Sequence, residues 1–278
     1  MADLQAIASQ VRRDILRMVH AVSSGHPGGS LGCADLLTYL YNERLMLNAS
    51  SFTMDGLNED LFFLSNGHIS PVWYSVLARS GFFPVEELAT FRKISSRLQG
   101  HPSVDKNLPG IRMASGSLGQ GLSVAIGAAT TKKMQGDDSM VYCLMGDGEL
   151  QEGQVWEAAM YAGSKKINNL IGIIDYNNRQ IDGDVSDVMG IMPLSDKWTA
   201  FGWEVYHMDG HSFDSMREVF ATIDSNKSNG MPKMIIMKTE MGKGVDFMMG
   251  THKWHGSAPN DEQLATALAQ LPETLGDY

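Results

Sequence analysis

The first stretch of the chain, LQAIASQVRRDILRMVHAV, sets Ile7, Val11, Ile15, Leu16 and Val19 at helical spacing, which predicts an amphipathic opening helix. Beyond it two patterns alternate. DLFFLS, SMVYCLMGD, NLIGIIDYN, WEVYHMD and PKMIIMKTE are short apolar runs that read as buried strands. Between them SPVWYSVLARSG, LGQGLSVAIGAATTKKMQG, QVWEAAMYAGSKK, LSDKWTAFG and FDSMREVFATIDS read as helices. A helix is also predicted from about Ala34, after the Gly-Pro turn of SSGHPGG, and a last one from about Asp261. Residues 92–118 are irregular, and so long a connection in a compact domain tends to be functional.

Strands alternating with helices predict an α/β fold, a doubly wound, mainly parallel sheet with helices on both faces and right-handed crossovers. Ligands in such sheets bind at the carboxyl ends of the strands. No linker, repeat or low-complexity segment divides the chain, so residues 1–278 read as one domain.

Composition narrows the partners. With 22 Lys+Arg against 32 Asp+Glu, the formal charge is −10, which argues against nucleic acid or an anionic membrane. Cys33 and Cys143 have no metal or redox spacing, and no apolar run is long enough to span a bilayer. The N-terminus carries no signal-peptide core, so a reducing, cytoplasmic setting is expected. The 19 methionines are scattered and read as adaptable packing. The pairs Arg12–Arg13 and Lys165–Lys166 read as solvated faces, and Trp156 and Trp198 as core.

The candidate chemistry begins at CLMGDGELQEGQVWEAAM, where a strand runs into a glycine-rich but acidic turn. Such turns, leading into a helix N-terminus, bind phosphates, and Asp147 would repel one. A divalent cation resolves the conflict, with Asp147 on the metal and the metal on the phosphates; Mg²⁺ suits this because it takes one or two protein oxygens beside phosphate and water. Asn177, at the end of the next strand, and a backbone carbonyl near Arg179 would complete the protein's share. Glu149 and Glu152 also suit the first turn of a helix. A nicotinamide-binding reading fails because GSLGQG has the wrong spacing, and no phosphate-binding loop ending in Gly-Lys-Ser/Thr occurs.

At GDGELQEGQVWEAAMYAGSKKINNLIGIIDYN the sequence resembles the thiamine diphosphate signature. SGHPGGSLGCADLLTYLY, LSNGHISPVWYSVL, GHPS, GSLGQGLSVAIGAA, GWEVYHMDGHS and KTEMGKGVDFMMGTHKWHG narrow it: each is similar to a transketolase segment, in that family's order. The resemblance implies transfer of a two-carbon ketol unit from a ketose, a sugar phosphate or similar acidic sugar, to an aldose. Thiamine diphosphate would act as the electron sink, with Mg²⁺ beside it and Ca²⁺ or Mn²⁺ as substitutes. It implies cofactor contacts from His68, Ser115, Gly116, Leu118, Gly146, Asp147, Gly148, Glu149, Asn177 and His255, and metal ligation by Asp147, Asn177 and Arg179.

It further implies catalytic roles for His26, His68, His101 and His255. His26 and His255 would take the donor's C3 hydroxyl proton, and His101 would hold its C1 hydroxyl or carbonyl oxygen. Glu152 would join a polar network at a dimer interface. His20, His207, His211 and His252 receive no catalytic role, His211 only one in a turn. Only the first domain of a transketolase is matched, so a pyrimidine-binding domain is expected on a separate C-terminal subunit, the pairs forming a heterotetramer. The alternatives are the α-subunit of a thiamine-dependent 2-oxoacid dehydrogenase, a Mg²⁺-phosphate-binding protein without thiamine, and a non-catalytic binding subunit.

Overall fold

The structure is a computed structural model, and residues 3–226 and 229–278 are described. The strands are β1 (Leu61–Leu64), β2 (Val141–Gly146), β3 (Leu170–Tyr176), β4 (Arg179–Gln180), β5 (Gly183–Asp184), β6 (Glu204–Asp209) and β7 (Lys233–Lys238). All but β4 and β5 form one parallel sheet in the order β1-β2-β3-β7-β6, which is the predicted architecture. β4 and β5 make a small antiparallel hairpin directly after β3.

The helices are α1 (Leu4–Ala21), α2 (Pro27–Gly32), α3 (Ala34–Tyr39), α4 (Ser70–Arg79), α5 (Gly121–Gln135), α6 (Gly153–Ser164), α7 (Val185–Val188), α8 (Leu194–Ala200), α9 (Phe213–Ser225) and α10 (Asp261–Gln270). Alternate strand residues feed two cores. Phe62, Leu64, Tyr142, Leu144, Ile171, Ile173, Ile235 and Met237 pack with α1, α3, α4 and α9 on one face. Leu61, Phe63, Val141, Cys143, Met145, Leu170, Ile174 and Ile236 pack with α5, α6 and α8 on the other. The steps β1→β2, β2→β3 and β3→β6 all run one way across the sheet, and the helix that leads into each new strand (α5, α6 and α8) lies on the second face. The return step β6→β7 carries α9 on the first, as crossovers of a single hand require. No helix of the described residues is long and apolar enough to cross a membrane.

Four expectations need correction. The SSGHPGG turn is shorter than predicted: His26 caps α2, with Pro27 at the first helical position, where its fixed φ and missing N–H suit a helix start. Arg12 and Arg13 are buried rather than solvated. Arg12 pairs with Asp35 at 2.6 Å, while Arg13 bonds Asp277 at 2.7 Å and the carbonyls of Leu268 and Leu271, strapping the C-terminal residues to α1. His211 does more than turn the chain. Its Nε2 accepts from the Glu240 N–H at 2.8 Å, so Nδ1 carries the proton and donates to Asp35 at 2.9 Å. Burial pushes Asp35 up, but His211 and Arg12 outweigh it and hold the carboxyl below its ordinary range. β6, an edge strand, is only half-buried rather than a continuous buried run. Lys165 and Lys166 are exposed and Trp198 is fully buried, as predicted, while Trp156 is half-buried against it.

Candidate active site

The register of β2 and β3 sets Gly146 opposite Asp175, so the two strands end level and their following residues lie side by side. Asp147 is almost fully buried there. One carboxylate oxygen accepts from the Gly148 N–H at 2.8 Å, the other from the Asn178 N–H, while the Asp147 N–H donates to the Asp175 carbonyl at 3.3 Å. Asn177 donates to Asp175 at 2.8 Å and accepts from the Arg179 N–H at 2.8 Å. Sequence spacing alone thus brought together two strand tips that are in contact. Burial, then the charge of Asp175, pushes the Asp147 carboxyl up to about 7, against the pull of the Asn178, Gly148 and Asn177 amides.

These residues wall a cavity of about 390 Å³. His26, His68, His101 and His255 line it too, brought from four separate loops. Three of the rings form a triangle, with centroids 5.0 Å apart for His26–His68, 5.1 Å for His68–His255 and 5.8 Å for His26–His255. Gly28 makes this possible: a Cβ there would lie 2.8 Å from the Trp254 carbonyl, so only glycine lets the 240–256 segment cross α2 and deliver His255. Gly116, at φ +128°, admits the His101 ring where a side chain would collide with it. A larger cavity of about 520 Å³ at the ends of β6 and β7 is walled mainly by apolar groups such as Met192, Met208 and Ile236, and none of the predicted site residues line it.

Burial depresses all four histidines. His26 is lowered to about 4 by burial, then by His255, Arg92 and His101. His68 is pushed well down by burial and the neighbouring histidines, His101 by burial and Arg92, and His255 by burial despite Asp182. Neutral imidazoles at pH 7 can accept protons. Below pH 6.5 the unfolded chain protonates His26 while the folded chain does not until about pH 4, so this group's contribution to stability falls as pH drops through that window. Discounted for partial exposure, the loss is about 1–2 kcal/mol. His26→Asn should therefore melt closer to wild type at pH 5 than at pH 7.5, a comparison in which the carboxylates common to both proteins cancel.

The other predicted residues divide by what they touch. Leu118, Gly146, Gly148 and Glu152 line the cavity, Glu152 with an exposed side chain. Ser115 Oγ packs on Gly67. Glu149 borders the cavity, but its carboxylate is committed inward, accepting from Ser65 Oγ, from the Gly119 N–H at 2.8 Å and from the Gly146 N–H at 3.0 Å. Arg179 lines the cavity, and its guanidinium pairs with Asp184. Sequence reasoning missed Asn66 and Asp175, both buried in the cavity wall. Asn66 sits in the quoted LSNGH motif, and Asp175 two residues before Asn177, but neither position announces burial.

The residues present suit a cationic, phosphate-bearing group. Nδ1 of His26 and of His255, Oδ1 of Asn66 and Oγ of Ser115 are buried around the cavity with no hydrogen-bond partner among the described residues. Among those residues no three His, Cys, Asp or Glu side chains are placed to hold a metal ion by themselves. An ion here would be held by one carboxylate and neutral oxygens, leaving positions for phosphate, as a hard cation prefers.

A buried strand-tip carboxylate, a neighbouring amide and a neutral histidine cluster line one cleft at the carboxyl edge of a parallel sheet, where α/β domains bind their ligands. The family model for the transketolase thiamine diphosphate binding domain matches residues 4–273, and the chain belongs to that family. It is 38% identical over 270 residues to the 6-deoxy-6-sulfo-D-fructose transketolase subunit SqwG of Clostridium sp. (strain MSTE9), covering 97% of this chain and 96% of that protein. It is 37% identical to an apulose-4-phosphate transketolase subunit of Phocaeicola vulgatus, covering 98% and 95%. The crystal structure of transketolase from Campylobacter jejuni superposes with a TM-score of 0.88 at 36% identity, covering 96% of this chain but 42% of that one.

Proposed function

We propose that this chain is the N-terminal subunit of a split transketolase, transferring a two-carbon ketol unit from an acidic ketose, such as a sugar phosphate, to an aldose. The observation that carries the reading is the contact between the Asp147 carboxylate and the 177–179 turn at adjacent strand tips. Two relatives covered nearly end to end are named as subunits, whereas the chain spans 41% of human transketolase, which supports completion by a second chain with the pyrimidine-binding domain. In this reading such pairs assemble into a heterotetramer, with exposed Glu152 at the join.

Asp147, Asn177 and the Arg179 carbonyl would hold Mg²⁺. Gly146, Gly148, Ser115, Gly116, Leu118 and His68 would border the cofactor. When bound, thiamine diphosphate supplies an electron sink for breaking the bond between C2 and C3 of the ketose. His26 and His255, neutral and 5.8 Å apart, would accept the C3 hydroxyl proton, and His101 would orient the other end of the ketol unit. His68, whose ring lies 5.0 Å from that of His26 and 5.1 Å from that of His255, would hold these two beside the cofactor.

Calorimetry with thiamine diphosphate should give binding that depends on Mg²⁺. Co-purification with a pyrimidine-domain chain, followed by ketol-transfer assays on a sugar panel, should give turnover only from the pair. Full turnover by this polypeptide alone would refute the split arrangement.

A further inference from the structure

Arg92 stands apart from every other arginine. The sequence has ten, and each of the other nine pairs with a carboxylate of this chain. Arg92 has no such partner among the described residues, in a chain with 32 acids to choose from. Its Nη1 donates to Ser24 Oγ at 3.0 Å, a neutral group, and its Nε is buried with no hydrogen-bond partner among the described residues. The guanidinium packs on Gly100, 2.5 Å from where a Cβ would stand. Ser24 lies two residues before His26, and Gly100 immediately precedes His101, so the free charge sits between the two loops that carry these histidines. It is close enough to depress both of them.

A half-buried guanidinium without a counter-ion is costly, and a planar fork of donors matches the oxygens of a carboxylate, phosphate or sulfonate. We infer that Arg92 is a recognition cation for an oxyanion brought to the His26–His101 side of the cleft from outside this chain, carried either by the sugar or by the second subunit. The inference rests on the functional reading above for the identity of those two sources. Arg92 touches no reacting atom in this scheme; it fixes where a charged group settles beside the histidines.

The test uses the full chain loaded with thiamine diphosphate and Mg²⁺, so that anions cannot fill the diphosphate cradle. D-Ribose 5-phosphate and D-ribose are titrated while the His26 and His101 imidazole resonances are followed by NMR, and affinity for the second subunit is measured in parallel. If the sugar brings the oxyanion, Arg92→Met weakens D-ribose 5-phosphate about tenfold or more, Arg92→Lys weakens it less, and D-ribose is unaffected. If the partner brings it, sugar binding is unchanged and affinity for the second subunit falls by about the same factor, with partial rescue by lysine. Unchanged affinity for both sugar and subunit in Arg92→Met overturns the inference, whatever happens to the melting temperature. A chain that takes up no thiamine diphosphate sinks the functional reading instead; the same titrations in excess inorganic pyrophosphate and Mg²⁺, which keep the sugar phosphate out of the strand-tip cradle, then decide the role of Arg92.

Discussion

Glu149→Gln should lower the melting temperature by about 3–7 °C, corresponding to roughly 2–4 kcal/mol in a chain of this size. The Glu149 carboxylate accepts from three donors: Ser65 Oγ at the end of β1, the Gly119 N–H before α5 and the Gly146 N–H at the end of β2. Ser65 in turn accepts from the Gly121 N–H at 3.1 Å, so one buried side chain ties three loops of the site into one frame. Glutamine has nearly the same shape but offers an NH₂ where the carboxylate had its second oxygen. That NH₂ meets the Gly146 N–H, or the Gly119 N–H if the amide flips, so a donor faces a donor in either orientation. Removing a buried charge returns part of the loss, because burial already pushes the Glu149 carboxyl up. The remainder is two unsatisfied groups in a buried place. Glu149→Asp should fare no better, because a side chain one methylene shorter cannot reach all three donors. Thermal denaturation of the apo-chain measures this directly, and a shift below about 2 °C would mean that the three loops hold together without the carboxylate.

Glu149 also marks where sequence reasoning stops. Its position in the G-D-G turn assigned it to the cofactor, and proximity was legible from chain spacing. Direction was not, because which way a carboxylate points depends on Ser65 and Gly119, 84 and 30 residues away. The strands were legible because sheets buried on both faces write continuous apolar runs, but their order in the sheet was not, because nothing local to a strand says which neighbour it pairs with. The strand-tip pair Asp147–Asn177 was legible because one βαβ unit fixes the separation of two neighbouring ends.

Long-range pairing was invisible. Arg12 and Arg13 fall on a helix whose charge pattern suggests a wet face, yet Asp35 and the C-terminal residues bury them. The hairpin after β3 was missed for a different reason: two-residue strands have no period to detect. The four histidines of the cavity were found by resemblance. Their shared depression required the fold, because it arises from burial and from one another.

Asp147→Asn should abolish Mg²⁺-dependent binding of thiamine diphosphate while leaving the fold intact. The expected loss is about 100-fold or more in affinity, or ~3 kcal/mol, since Asp147 is the one carboxylate that the proposed reading puts on the cation, and the substitution makes it neutral. The fold should tolerate the change for reasons visible in the apo-structure. Asparagine matches the shape and keeps an acceptor for one of the two backbone N–H groups, from Gly148 or Asn178, giving up about 1 kcal/mol for the other. Against that, it removes a buried negative charge that faces Asp175, the two influences that hold the Asp147 carboxyl near 7. The two effects oppose each other, so the apo melting temperature should move little. The discriminating measurement is therefore a pair of titrations. With Mg²⁺ the variant should bind far more weakly than wild type; with the metal chelated, the two proteins should bind equally poorly. If Asp147→Asn kept the full gain from Mg²⁺, the cation would sit elsewhere, and the strand-tip assignment would fall with the functional reading built on it.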